Sequence, residues 1–558
     1  MKKSILFTLY LIPVVLLIGF VATFSVNVPI DDEWRLASLF EKIAQGSVTF
    51  NDFWALHSNH RIVFPKLIIA VLVFASRWNI NYQLCLSIGL AGITFMTMYK
   101  LSSMQVKNVG DNLWHLANIL TCILLFSLVQ HENWLWGFQL AWFFVNLCFI
   151  AAVYALVSTH KLLPNIRISI AAIFCFIASF SLAQGLLSWF VAVPAVVALE
   201  GNRVQKKRRL IVWILLFAAT CAIYSIDYHP SRKTSIIALL NKPLVVIDYF
   251  LSLLGSPIVR SPGLSAFVGL VIFASFGFFV WHFGKKILLT NLGLGGDGQD
   301  AHPTIDLGLL HQALPWLSIG LFSVLSALFI TAGRANFGAI QAIESSRYTT
   351  NSILLLIALV QLGQLFIRET KALLKFNYKL IFRGVSGLLI GIIIVNSQQA
   401  IVQTSSALIY KQGAQDCLQL INYLEPSKFF NLRVLSKKTW LVRDGAAILD
   451  KFGWRKFAKN VDFIPNTKKV YGYLDQPPTG DKLLKAAGWV VLPENRKQPN
   501  IVLLSVGDKK SFFANAYVNL DSPDIAKVSG GDLAIAQTDI KAWVYNPVDN
   551  QFVQLRGG

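Results

Sequence analysis

Residues 62–76, "IVFPKLIIAVLVFAS", form the apolar run on which the topology turns. Counted as a membrane crossing, it moves every later loop to the opposite side. Counted as a helix lying at the outer interface, it leaves them in place. Loop charge decides between the two, because cytoplasmic loops carry an excess of Lys and Arg. With 62–76 at the interface, Lys100 and Lys107, Lys161 and Arg167, "RVQKKRR" (203–209), Lys285 with Lys286, and the basic run from Arg368 to Arg383 all fall inside. The short stretches "HENW" (131–134) and "SLAQG" (181–185) then fall outside and carry neither Lys nor Arg. Counted as a crossing, 62–76 would instead send Lys100, Lys107 and the 203–209 cluster outside.

The rest of the chain fits a membrane protein. Of its 558 residues 55% are hydrophobic and 14% charged, and soluble domains carry roughly 25% charged residues. The mean hydropathy is +0.56. Apolar stretches near the ~20-residue crossing length occur at 5–26, 82–101, 112–130, 138–158, 166–184, 187–200, 210–226, 262–283, 312–332, 350–368 and 380–397. This predicts a polytopic α-helical domain over residues 1–400, of about eleven spans, with an outer loop at 27–81 that contains interfacial helices. "MKKSILFTLYLIPVVLLIGFVATF" reads as an uncleaved first helix with Lys2 and Lys3 inside. The net charge of +21 lies largely between spans, so no nucleic-acid partner is implied. The six cysteines show no metal-ligand spacing.

Composition shifts near residue 400. Residues 401–465 read as a helical connector, including "TWLVRDGAAILDKFGW". Residues 466–558 hold short alternating runs, "AAGWVVLP", "NIVLLSVG", "FFANAYVNL" and "IKAWVYNP", which predict an extracytoplasmic β-rich domain, a small β-sandwich.

With this topology the outer loops collect a set of polar residues that the membrane would not hold without a use. The first loop has Asp31, Asp32 and Glu33, then His57, Asn59, His60 and Arg61. The next has His131, Glu132, Asn133, Trp134, Trp136 and Gln139, another has Gln184, a long one covers 227–261, and the last has Arg334, Arg347 and Tyr348. A carboxylate can take a proton from an acceptor hydroxyl. Arg and His can hold a phosphate as charge develops on it, and Trp and Tyr can stack on a sugar. Each group also has a plainer use. Acidic residues suit a helix N-terminus, tryptophans suit the membrane interface, and "HSNHR" and "DYHPSRK" suit solvated loops. The glycine-rich "GLGGDGQD" (293–300) lacks the Lys-Ser/Thr ending of a phosphate-binding loop and reads as a linker.

"DEW" (32–34), "TFNDFWALHSNHRIVFPKLI" (49–68), "QHENWLWGFQ" (130–139) and "SSRY" (345–348) resemble a bacterial subgroup of membrane proteins with DEW, H-N-E-H-R-like and E-N-x-L-W-G-F-Q stretches. The whole layout is similar to that of the GT-C membrane glycosyltransferases. The chain departs from the subgroup at Ser58 and Asn59, where Asn-Glu is usual, which removes a carboxylate at position 59. The resemblance implies an enzyme of the bacterial inner (plasma) membrane, with its N-terminus cytoplasmic and its C-terminal domain periplasmic. It would move a sugar from a polyprenyl-phosphate donor to a glycan, lipid or protein acceptor, with inversion. It implies Asp32 as the catalytic carboxylate. Taken with the outer-face residues, this reading puts His60, Arg61, Arg334, Arg347 and His131 at the donor phosphate. Asp31, Glu33, His57, Asn59, Glu132, Asn133, Trp134, Trp136, Gln139 and Tyr348 would line the sugar and acceptor pocket. No cofactor is required; some family members use a divalent cation (Mg or Mn), for which the acidic trio is the candidate. A glycan polymerase or ligase, a lipid-linked sugar transporter or flippase, and a non-catalytic scaffold remain as alternatives.

Overall fold

The computed structural model describes residues 3–104, 112–158, 162–229, 241–291, 307–370, 378–424 and 430–465. Beyond 465 it describes 472–479, 484–490, 492, 499, 501–507, 510–512, 514–517, 526–528 and 540–557. Lys107, Lys161, Arg232, Lys233 and the stretch 293–300 lie outside these residues. The chain is mostly helical and divides into two compact units. One comprises Met1–Thr23, Phe50–Ile69 and Gln83–Ile401, the other Phe24–Thr49, Ala70–Tyr82 and Val402–Gly558.

Among the described residues, nine helices are long and apolar enough to cross a membrane: Ser4–Phe24, Ile80–Ser103, Asn112–Trp134, Gly137–Val157, Arg203–Ser225, Leu264–Lys285, Gln312–Phe337, Ser346–Glu369 and Tyr378–Gln419. The sequence predicts eleven. The two that differ, 166–184 and 187–200, form the helix Pro164–Ser179 and the short pieces Leu187–Val191 and Val193–Val197. A turn at 180–186 separates them, and within it Gly185 lies so close to the preceding helix that a Cβ there would meet the Ala178 carbonyl oxygen at 1.9 Å. These two segments are consecutive, so the parity of crossings is the same for nine as for eleven. The run 62–76 appears as the 14-residue helix Val63–Ser76. At ~1.5 Å per residue it reaches ~21 Å, short of the ~30 Å hydrocarbon layer.

The stretch 227–261, expected as a loop, contains the apolar helix Pro243–Gly255. This helix packs in a hairpin on Leu264–Asn291 through facing glycines. A Cβ on Gly255 would lie 1.9 Å from the Ser265 carbonyl oxygen, and one on Gly269 would lie 1.9 Å from that of Leu251. Small residues let backbones approach in this way where lipid supplies no hydrophobic drive.

In the second unit the described strands form two sheets, of order β1-β8-β7-β4-β5 and β6-β3-β2-β9. The first consists of β1 (Asp462–Ile464), β4 (Ile501–Val506), β5 (Ala514–Tyr517), β7 (Ile540–Asn546) and β8 (Gln551–Gln554); the second of β2 (Gly472–Thr479), β3 (Leu484–Val490), β6 (Ala526–Val528) and β9 (Arg556–Gly557). β1 pairs in parallel with β8, so the end of the expected helical connector is strand. Phe552 gathers the rings of Phe512, Phe463 and Tyr423 at 4.7, 4.9 and 5.2 Å. The helix Thr439–Lys451 lies over Trp34: a Cβ on Gly445 would meet the indole at 2.4 Å. Trp34 in turn packs on Trp78, which meets Phe40 edge-on.

Gly269→Ala is expected to lower thermal stability in detergent by about 1–3 kcal/mol, the usual cost of forcing extra atoms into close packing. Gly277→Ala, in the same helix with open space around it, is the control and should leave the melting temperature within a degree or two.

Candidate functional site

Three stretches distant in sequence meet in the first unit. The first is 127–139. Ser127 caps its opening turn by accepting from the Val129 amide at 3.2 Å. The completely buried Trp134 donates from Nε1 to the Ser127 carbonyl at 3.0 Å and stacks on Phe143 at 4.4 Å. Trp134 therefore anchors the stretch, where the sequence had placed it in a sugar pocket.

The second stretch is 345–350, and a reciprocal latch joins it to the first. The Glu132 amide donates to Ser346 Oγ at 3.0 Å, and the Arg347 amide donates to Glu132 Oε2 at 2.9 Å. Asn133 Nδ2 donates to the Arg347 carbonyl at 2.8 Å and to Thr350 Oγ1 at 2.5 Å. Thr350 Oγ1 donates in turn to Gln130 Oε1 at 2.5 Å. With its backbone held on both sides, Arg347 lays its guanidinium 5.2 Å from the Tyr348 ring and 5.8 Å from the Trp136 ring. Tyr348 also meets Trp142 edge-on at 6.0 Å. Such cation–aromatic contacts strengthen as water is excluded.

The third stretch is 256–263, which sequence reasoning missed. Asn396 Nδ2 donates to the carbonyls of Pro257 and Ile258, each at 3.0 Å, and fixes the turn. Arg260 then reaches the Val129 carbonyl. Burial pushes its guanidinium pKa down, and the nearby Glu132 carboxylate pulls it back up. A lone Arg between Pro257 and Pro262 in a loop expected outside is the one signal that marked it. Arg334 ends the helix Leu307–Arg334, with Phe337 5.8 Å from its guanidinium. Tyr249 donates to Gln341 Oε1 at 2.5 Å. The Tyr249 phenol lies within electrostatic reach of Tyr348, Arg334 and Arg347.

The "HSNHR" stretch forms a tight hairpin in the same unit. The His57 amide donates to the His60 carbonyl at 2.9 Å and the His60 amide to that of His57 at 3.1 Å, with Ser58 left-handed at φ 58°. The buried His57 ring lies 4.9 Å from Phe138, beside the first stretch. Asn59 contributes its carbonyl to the Tyr228 hydroxyl at 3.1 Å. Arg61, 1% exposed, spends its guanidinium on backbone: Nε donates to the Tyr224 carbonyl at 2.7 Å, Nη1 to Trp54 at 2.8 Å and Nη2 to Ile226. Trp54 covers it at 4.3 Å. This makes Arg61 a fastener for the hairpin rather than a hand for a phosphate. Lys66 does the same one turn later, donating from Nζ to the carbonyls of Asp52, Phe53 and Ala55 at 3.0, 3.0 and 2.7 Å, which caps the helix Phe50–Trp54. His60 and His131 are half-buried, and Gln139 is buried.

Asp31, Asp32 and Glu33 belong to the second unit. They open a 3-10 turn, Asp31–Leu36, with Asp31 left-handed at φ 47°. Glu33, 1% exposed, accepts from the Ile30 amide at 2.6 Å, so it serves as the helix-start residue that acidic residues suit. Asp32 is instead partly exposed and pairs with Arg35 at 3.2 Å. Arg455, also missed from sequence, donates to the Asn27 carbonyl at 2.7 Å and to the Trp78 carbonyl at 3.4 Å. Burial pushes its pKa down to about 10, and Glu33 pulls it up.

Among the described residues no group of three or more His, Cys, Asp or Glu is set to hold a metal ion. The chain matches no protein-family model and no curated protein. The arrangement in the first unit offers three guanidinium groups, two aromatic faces and one carboxylate. That set can neutralise a phosphate and stack on a ring attached to it.

Two measurements check this geometry. Glu132→Ala is expected to cost about 1–3 kcal/mol in thermal unfolding, since it strands the Arg347 amide; Glu132→Gln, which keeps an acceptor oxygen, should cost less. Burial, the largest influence, pushes the Lys66 ammonium down to about 8, with Asp52 raising it and Arg61 lowering it further. From about 8 to the ordinary 10.5 the unfolded chain holds a proton that the folded chain has released. Stability should therefore rise with pH across that window, and Lys66→Met should remove that part of the rise.

Proposed function

We propose that this chain is a GT-C-type glycosyltransferase of the bacterial inner membrane. It would move a sugar from a polyprenyl-phosphate donor to an acceptor hydroxyl on the periplasmic side. In this reading the N-terminus is cytoplasmic, the helix Val63–Ser76 lies at the outer interface, and the β-rich region is extracytoplasmic. The single observation that supports it best is the latch between Glu132, Asn133 and Arg347, which holds a guanidinium over Trp136 and Tyr348 with Arg260 beside the same carboxylate.

The chemistry asked of these residues is an inverting displacement. The acceptor oxygen bonds to the anomeric carbon as the bond from that carbon to the phosphate oxygen breaks. The hydroxyl proton passes to a carboxylate, and the electron pair leaves on the polyprenyl phosphate. Arg347, Arg334 and Arg260 neutralise the leaving phosphate, with His60 and His131 at hand for its remaining oxygens. Trp136 and Tyr348 face the sugar. Asp32 as base rests on the resemblance and on its place after the first span. Like Asp31 it is partly exposed, whereas Glu33 is buried and spent on the helix start. Arg61 leaves the phosphate set because its donors are engaged.

The test uses the full chain in nanodiscs with a labelled single-sugar polyprenyl phosphate and a mixed acceptor preparation. Wild type is expected to consume donor, and Asp32→Asn to slow this by about 10²–10⁴-fold, the range for a lost general base. Arg347→Gln should slow it by about 10²-fold or more, the range for a lost charge-stabilising donor. Consumption unaffected by both variants overturns the reading. Labelled donor that crosses the bilayer of proteoliposomes unconsumed makes the protein a transporter.

A further inference from the structure

The cations of "RVQKKRR" stand where their helix least favours them. Asn202 caps the helix Arg203–Ser225: its Oδ1 accepts from the Gln205 amide at 2.9 Å, and Gln205 Oε1 accepts from the Asn202 amide at 3.2 Å. A helix start carries the positive end of the backbone dipole, which attracts anions and opposes cations. Arg203, Lys206, Lys207 and Arg208 fill this turn and the next. Arg203 has like charges three and four residues on, a spacing at which they repel.

The protein offers these four little relief. Arg209, the fifth, is occupied: Nε donates to Asn165 Oδ1 at 3.2 Å and Nη1 to the Glu200 carbonyl. The nearby Glu200 carboxylate pairs with Arg167 at 3.2 Å. Among the described residues, Arg203, Lys206, Lys207 and Arg208 make no side-chain hydrogen bond or ion pair. Arg203, Lys207 and Arg208 are exposed, as is Val204 between them at 76%. Within the next turns the same helix exposes Ile211, Val212, Ile214, Leu215 and Leu216. The charged turn thus leads directly into a surface suited to hydrocarbon.

We propose that Arg203, Lys206, Lys207 and Arg208 form a binding surface for the phosphate-bearing headgroups of anionic phospholipids, on the membrane face where this helix enters the bilayer. A basic cluster flanking a span is drawn to anionic lipid within about a Debye length of the surface. Here phosphate also meets the helix dipole with the matching sign. The continuous apolar face immediately beyond the charges selects a lipid over a nucleic acid, which has no hydrocarbon to place there. The cap and the Arg209 tether hold the turn in position, so the cations are presented on a fixed scaffold. The inference does not depend on the glycosyltransferase reading.

The test is lipid retention by the full chain in detergent, read by native mass spectrometry and by thermal shift with added phosphatidylglycerol or phosphatidylcholine. Wild type is expected to keep phosphatidylglycerol in preference to phosphatidylcholine, and to keep less as salt is raised. Neutralising the four together (R203Q/K206Q/K207Q/R208Q) should weaken that retention by at least about tenfold, and the charge-preserving R203K/K206R/K207R/R208K should restore it. Should the fourfold variant fail to fold, Arg203→Gln with Lys207→Gln is read in the same assay, with a smaller loss expected. As control, Arg433→Gln with Lys437→Gln, exposed cations elsewhere, should change nothing. Equal retention of the two lipids by wild type, undiminished retention in the neutralised variants, an equal loss in the control, or nuclease-sensitive displacement of the lipid overturns the proposal.

Discussion

Wherever an apolar helix stops, its last carbonyl oxygens lack partners, and inside or beside a bilayer water is a poor source of donors. Much of the order in this protein follows from how those oxygens are met. Arg61 gathers carbonyls from Trp54, Tyr224 and Ile226, and Lys66 gathers three more at the end of Phe50–Trp54. Arg167 closes the end of Leu140–Val157 through the Ala155 and Leu156 carbonyls. Arg260, Asn396 and Arg455 serve turns in the same way. The strong positive charge of the chain is thus partly a structural resource: several of its cations are internal donors before they are anything else.

That accounting separates two kinds of polar residue that look alike in the sequence. Arg61 and Arg347 sit in comparable motifs, each next to an aromatic-rich stretch. Arg61 has its guanidinium consumed by backbone. Arg347 has its backbone fixed by Glu132 and Asn133 and its guanidinium laid over two rings. No rule of composition distinguishes them, because the difference lies in which carbonyls happen to end nearby. Glu33 and Asp32 divide similarly, one spent on a helix start and the other paired with Arg35.

Hydropathy made the membrane class and most long helices legible, since a crossing segment needs little beyond length and apolarity. It failed where length alone misleads. The runs at 166–184 and 187–200 are apolar enough, but Gly185 and the turn around it break them. Pro243–Gly255 was hidden in a polar-looking loop because 13 residues fall below any span criterion and its stability comes from Gly255 and Gly269 facing a neighbour. Among the strands, "NIVLLSVG" and "IKAWVYNP" announced β4 and β7 by alternation. β1 is three residues long and exists through parallel pairing with β8, about ninety residues later, a partner that local pattern cannot reveal. Meeting of the 127–139 and 345–350 stretches was legible only as a shared loop side, and Arg260 scarcely at all.

The glycine-faced hairpin has a consequence for biogenesis. Pro243–Gly255 is too brief to partition into lipid unaided, and its packing surface exists only once the chain through Gly269 has been made. The glycine-faced contact can therefore close only after the chain through Gly269 has been synthesised, so the shorter helix waits on its partner for the packing that holds it.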